Sequence, residues 1–394
     1  MQFPTLEDLK NRRTRKWTVY GEDVLPLWIA ESDFFTSPPV KQAVRDAVER
    51  ESFGYTPASS DLPETLADFY GQRYGWRPDP SWVVTVPDVV RGLLLAVQYM
   101  TRPGSSVIVP VPAYPPFLEI PETAGREMVE INAYGGLDLA EIEVAFAEGA
   151  GSIVLCSPNN PLGYTLSEEF LTDLVALADR YDARVLVDEI HAPLVFDGHH
   201  VVAAGLSEQA AKVCVTVTAT SKAWNIAGLK CAQMILTSPA DRQAWRKMTG
   251  VAKDGTSTIG VFAAAACYRE GGGHLDEQLD YLRANRDWLV EELPRRVPGL
   301  QVINPGATYL MWLDFSGTAI GNLVEPAAWL RTHARVALNE GTSFGTGGDY
   351  CARLNFATSR EILEEGVRRI AEAVGAAGTA VGGSGAEPET ADAD

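Results

Sequence analysis

Three segments decide the fold: SIVLCSPNNPLG (residues 152–163), RVLVDEIH (184–191) and VCVTVTATSK (213–222). Each opens on a run of apolar, largely β-branched residues and then turns polar. Runs without alternation belong to strands buried on both faces, as in parallel sheets. Between the first two lies Glu168 to Tyr181, with Phe170, Leu171, Leu174, Val175, Leu177 and Ala178 at helical spacing. Strand–helix alternation of this kind predicts an α/β fold with a mostly parallel sheet. Ligands of such sheets bind beyond the carboxyl ends of the strands. The polar residues there, Asn160, Asp188 with His191, and Ser221 with Lys222, are therefore candidates. Each alone reads as a cap, a turn residue or a solvated charge; their joint occurrence carries the argument.

Working outward, Val107 to Val111 reads as another buried strand. Trp82 to Val86 reads as a strand followed by a helix from Pro87 to Met100, whose Leu93, Leu94, Val97 and Met100 share a face. Downstream, Leu289 to Val374 mixes helices (Glu325 to His333, Glu361 to Ala373) with strands (Gln301 to Ile303, Tyr309 to Leu313, Ala352 to Phe356). The expected organisation is an N-terminal arm or part of the small domain at 1–45, and a large cofactor-binding domain at 46–285. A smaller α+β domain at 286–375 and a disordered tail at 376–394 follow. Gly271 to Gly273 reads as a flexible loop and His199-His200 as a turn. Glu340 to Gly348 reads as a mobile loop anchored by Phe344.

The chain has 394 residues, 33 basic and 52 acidic, for a net charge of −19. That length suits two packed domains. That charge opposes nucleic acid and anionic membranes as partners. No apolar run is long enough to span a membrane, and a polar start argues for a cytoplasmic enzyme. The five cysteines, Cys156, Cys214, Cys231, Cys267 and Cys351, are odd in number and lack C-x-x-C spacing. They read as reduced core thiols; neither a disulfide framework nor a metal site is expected.

Asn-Pro-x-Gly, then Asp-x-x-His, then Ser-Lys with Gly six residues after the Lys resembles fold-type I enzymes dependent on pyridoxal 5′-phosphate (PLP), the class I/II aminotransferase family. The strings LPLWIAESDF (25–34), FGYT (53–56), VPAYPPF (111–117), SPNNPLG (157–163), VDEIHAPLVFDG (187–198), SKAWNIAGLK (221–230), TYLMWLDF (308–315) and ARLNFA (352–357) most resemble its MalY/PatB-type cystathionine β-lyase (C–S lyase) branch. The resemblance implies the aspartate-aminotransferase-like fold and gives each residue a role. Lys222 is the amine that holds PLP as a Schiff base, the one side chain able to do so. Asp188 is the carboxylate that keeps the pyridine nitrogen protonated. Asn160 meets the ring's phenolic oxygen. His191 stands near that oxygen, or else is an internally satisfied histidine. Tyr114 stacks on the ring. Arg353 grips the substrate α-carboxylate by a planar fork, with Asn160 and the backbone of Ala30 as further contacts. The phosphate falls at a helix N-terminus, on the amides of Val89 and Val90, with the hydroxyls of Thr218 and Ser221 and the charge of Lys230. Tyr55 reaches the phosphate of a neighbouring subunit, which implies a homodimer with shared sites.

Three positions depart from the pattern: Asp88 where Gly is expected, Lys230 where aminotransferases carry Arg, and Glu31-Ser32 in place of Asp-Met. The reaction implied is β-elimination from cystathionine or another S-substituted cysteine to thiol, pyruvate and ammonia. An aminotransferase remains the alternative, as does a specialised enzyme that decarboxylates or oxidatively deaminates. No second arginine suited to a side-chain carboxylate is evident in the sequence, which weighs against aspartate as substrate.

Overall fold

The computed structural model describes residues 3–382. Its centre is a seven-stranded sheet. The strands of the molecule, in chain order, are β1 (Leu25–Pro26), β2 (Val83–Val86), β3 (Val107–Val111), β4 (Met128–Asn132), β5 (Ser152–Cys156), β6 (Arg184–Asp188), β7 (Cys214–Ala219), β8 (Ala232–Ile235), β9 (Gln301–Val302), β10 (Leu310–Asp314), β11 (Val336–Ala337), β12 (Asn339–Glu340) and β13 (Cys351–Asn355). The large sheet runs β2-β8-β7-β6-β5-β3-β4. All pairs are parallel except those of β8, which is antiparallel to β2 and β7.

Period-2 geometry sends alternate side chains into two apolar layers. Val109, Leu186, Val215 and Val217 join the core under the helix Val89–Met100. Ile108, Ile153, Val185 and Val187 join the core under the helix Glu168–Arg180. The first helix packs close because residue 92 is Gly: a Cβ there would sit 2.7 Å from Val217 Cγ1. This close approach fixes the helix N-terminus beside the carboxyl ends of the central strands.

A second, antiparallel sheet, β12-β13-β10-β9, lies toward the C-terminus. The register sets Arg353 of β13 opposite Trp312 of β10 and Asn339 of β12. Leu25 and Pro26 form a short parallel ladder with Val336 and Ala337.

Several sequence readings need correction. The expected N-terminal arm at 1–45 holds helices at Leu6–Asn11 and Arg15–Thr18, the first closed by a Thr5–Asp8 capping box. Gly271 to Gly273 is not an extended loop. Gly271 is the single residue between the helices Thr258–Glu270 and Gly272–Arg296. The C-terminal helix Arg360–Gly382 runs past the expected tail boundary at 376; alanine-rich sequence sustains a helix without an apolar stripe. The rest of the expected tail lies outside the described residues. No helix among those described is long and apolar enough to cross a membrane.

Candidate active site

The strand ends converge on a cavity of about 600 Å³. Lys222 lies three residues beyond β7, and its Nζ donates to the Ala30 carbonyl at 3.0 Å. Burial and then the charge of Arg353 lower its pKa to about 8, so its amine loses its proton far more readily than an exposed lysine. Ala219 and Ser221 line the cavity beside it. Thr218 does not: strand alternation turns it away from Ala219, and its hydroxyl donates instead to the Glu189 carbonyl at 3.4 Å. Thr218 is therefore on the face of β7 away from the cavity, although a phosphate contact was expected from it.

Asp188 closes β6, buried, with Oδ1 accepting the Ile190 N–H at 2.8 Å. Burial raises its carboxyl to about 7, against the lowering effects of that N–H and of the Lys222 charge. His191 also lines the cavity. Burial, with Lys222 and Arg353 nearby, lowers its imidazole to about 3, so it is neutral. Its Nδ1 is buried without a hydrogen-bond partner among the described residues. Behind Asp188, buried Glu189 accepts from Tyr70 Oη at 3.0 Å and faces His200 Nε2 at 3.4 Å. His200, read as a turn residue, is therefore part of the interior.

Arg353 is only 2% exposed. Its Nη1 donates to Asn160 Oδ1 at 2.9 Å and its Nη2 to the Trp28 carbonyl at 3.2 Å. Burial lowers its pKa to about 10. Phe344 stacks under the guanidinium at 4.9 Å, so the loop anchor expected from sequence supports this side chain. Asn339 completes the group: with its amide turned, it accepts from Arg353 Nη2 at 3.1 Å and donates to the Trp28 carbonyl at 3.2 Å. Tyr309 Oη donates to the same Ala30 carbonyl as Lys222, at 3.1 Å.

The amino end of the helix Val89–Met100 brings Val89 and Val90 to the cavity. Asp88 and Lys230, two of the departures, explain each other. Asp88 Oδ1 caps the helix by accepting the Arg91 N–H at 2.8 Å, and its Oδ2 pairs with Lys230 Nζ at 2.9 Å. Ser32, part of the third departure, is buried, its backbone held by two hydrogen bonds to Asn225. Tyr55 is not in this cavity. It is 99% exposed, beside a separate hollow formed with residues 254–259.

The set fits PLP. A part-buried amine, a buried carboxylate, an unpartnered imidazole nitrogen and a helix amino end line one cavity of suitable size for a small cofactor. Tyr114 lines it too, half-buried, its ring edge-on to Phe117. Sequence reasoning missed Asn339, Tyr309 and Trp28, whose segments carry no polar strand-end signal. It also missed Arg15, which the structure places at the cavity wall.

The profile of the family "Aminotransferase class I and II" matches residues 22–370. The chain is 56% identical over 371 residues to cystathionine beta-lyase of Corynebacterium glutamicum, covering 94% of this chain and 99% of that protein. Among solved structures, a Corynebacterium diphtheriae protein provisionally named a PLP-dependent beta-cystathionase matches with a TM-score of 0.93 at 53% identity, covering 95% of this chain and 99% of the other. Cystalysin of Treponema denticola, which contains PLP, matches with a TM-score of 0.88 at 26% identity, covering 95% and 99%. The chain therefore belongs to the class I and II aminotransferase family, enzymes that work with PLP.

Proposed function

We propose that this enzyme is a C–S β-lyase that cleaves cystathionine or a related S-substituted L-cysteine to a thiol, pyruvate and ammonia. The observation that carries the reading is the 56% identity over nearly the whole of both chains to a cystathionine beta-lyase, together with a cavity that joins Lys222, Asp188 and Arg353.

PLP bound in this cavity supplies an electron sink for the pair left when the α-proton departs. Arg353, already forked toward Asn160 and Trp28, takes the substrate α-carboxylate. Lys222, whose pKa is lowered to about 8 so that it gives up its proton far more readily than an exposed lysine, removes the α-proton as the neutral amine. The Cβ–S bond then breaks with its electrons on sulfur, and the protonated amine of Lys222 returns the proton to the thiolate. The three-carbon enamine that remains takes up water and yields pyruvate and ammonia. In bound PLP, Asp188 would hold the charge of the ring nitrogen, Asn160 and neutral His191 would meet the ring oxygen, and Tyr114 would cover the ring. Val89, Val90, Ser221 and Lys230 would hold the phosphate. The fully exposed Tyr55 supports a homodimer in which it serves the partner's site, and cytoplasmic residence accords with five buried, unpaired cysteines.

The test is PLP-loaded protein with L-cystathionine and no keto acid. Pyruvate, ammonia and thiol released in equal amounts support β-elimination. Amino transfer that appears only on adding a keto acid would make the enzyme an aminotransferase.

A further inference from the structure

The charged groups at the cavity wall are committed to neighbours with one exception. Lys222 donates to Ala30, Arg353 to Asn160 and Trp28, Lys230 pairs with Asp88, and Asp188 accepts from Ile190. Arg15 lines the same cavity, is exposed, and its side chain has no hydrogen bond or ion pair among the described residues.

Its backbone is nevertheless fixed. The next residue, Lys16, is buried and donates from Nζ to Asp33 Oδ2 at 2.7 Å. Trp17 Nε1 donates to the other oxygen of Asp33 at 3.1 Å. Trp28 Nε1 donates to the Lys16 carbonyl at 3.3 Å. On the other side, Arg12 donates to the carbonyls of Ser32, Asp33 and Phe34. The N-terminal turn is thus clamped to the segment whose Trp28, Ile29 and Ala30 form the cavity wall. A free guanidinium is held at the open edge of a wall that is apolar at Trp28, Ile29, Pro115 and Pro116.

We propose that Arg15 is a specificity residue that receives the distal carboxylate of a substrate whose α-carboxylate is held by Arg353. The preferred leaving thiol is then one that carries a carboxylate at its far end, such as the zwitterionic homocysteine half of cystathionine, rather than an alkyl thiol without one. The apolar wall takes the methylene bridge and the guanidinium takes the carboxylate by two parallel hydrogen bonds. On a chain of net charge −19, a distal carboxylate gains from such a local cation, whereas an alkyl thiol has no group to receive it. This inference rests on the lyase reading and names its substrate class.

The experiment compares kcat/KM for L-cystathionine and S-ethyl-L-cysteine in PLP-loaded wild type, Arg15→Gln and Arg15→Lys. The cystathionine-to-S-ethylcysteine ratio should fall about tenfold in Arg15→Gln, mainly through KM for cystathionine. Arg15→Lys should restore part of it. An unchanged ratio, or equal loss on both substrates, overturns the proposal. If wild type releases pyruvate from neither substrate, the lyase reading fails instead. The ratio of the two dissociation constants, read from the cofactor's absorbance in wild type and Arg15→Gln, then decides Arg15 by the same criterion.

Discussion

The carboxyl ends of β5, β6 and β7 and the wall that carries Arg353 are built by different means. At the strand ends, Asn160, Asp188 and Lys222 each lie within a few residues of a buried strand, and the sheet alone brings them together. The wall is assembled from Arg15, Trp28, Asn339 and Arg353, drawn from both ends of the chain, with Tyr309 bound to the Ala30 carbonyl of the same wall. The first region is rigid by virtue of the sheet. The second depends on side-chain clamps such as Lys16–Asp33. Chemistry should therefore fail when a strand-end residue is lost, and selectivity when a clamp or rim residue is lost.

The largest test of that division is Lys222→Ala. Turnover should fall by roughly 10⁴-fold, because the variant has neither the amine for the cofactor nor the base for the α-proton. The thermal midpoint of the cofactor-free protein should hold or rise, since a part-buried amine whose charge is disfavoured by its surroundings has been removed. Residual activity at the wild-type level, measured as pyruvate release, would place the chemistry elsewhere in the cavity.

Next is the clamp. Lys16→Met leaves the Asp33 carboxylate buried without its cation and should cost about 3–5 kcal/mol in denaturant unfolding. Asp33 retains only the Trp17 indole donor. Lys16→Met combined with Asp33→Leu should recover much of that loss, since an apolar pair of similar volume leaves no buried charge unpaired. Stability that is unchanged in Lys16→Met would show that the wall is not held in this way.

A third comparison sets the strand ends against pH. In the cofactor-free protein, the Asp188 carboxyl is raised to about 7 by burial. A raised acid binds its proton more tightly folded than unfolded. Its contribution is therefore complete below about pH 4 and is lost as pH rises through about 7, by at most about 4 kcal/mol. Asp188→Asn should flatten that part of the stability–pH curve, and PLP should flatten it in wild type by placing a cation beside the carboxylate. A slope unaltered by Asp188→Asn would assign the titration to another group.

The same division explains what could be read from sequence. The parallel strands, their flanking helices and the strand-end polar residues were legible because unbroken apolar runs and the turns after them are local signals. Thr218 lies on the far face of its strand, which the motif did not reveal, because a motif gives neighbours in sequence while a strand sends alternate residues to opposite faces. Asn339, Tyr309 and Arg15 were not legible: their roles come from the register of the second sheet and from the folding of the N-terminal turn over the wall. Tyr55 lies apart from the site, fully exposed, so its motif placed it only in sequence. The pairing of Asp88 with Lys230 joins residues 142 positions apart, so two apparent anomalies in the sequence became one interaction in space.

That pair is also where the smallest effect is expected. Both side chains are substantially exposed, so their mutual attraction contributes about 0.2–1 kcal/mol. Asp88→Asn preserves a good helix cap, removes an anion from the phosphate end of the cavity and frees Lys230. It should leave the unfolding free energy of the cofactor-free protein within about 1 kcal/mol and tighten PLP binding a few-fold, as followed by absorbance titration. Lys230→Gln should weaken binding by a similar factor, and more so in the Asp88→Asn background, where the freed lysine has only the phosphate to neutralise. If the two substitutions were strictly additive for PLP affinity, Asp88 would be a cap and nothing more, and the ion pair would have no part in how the site holds its cofactor.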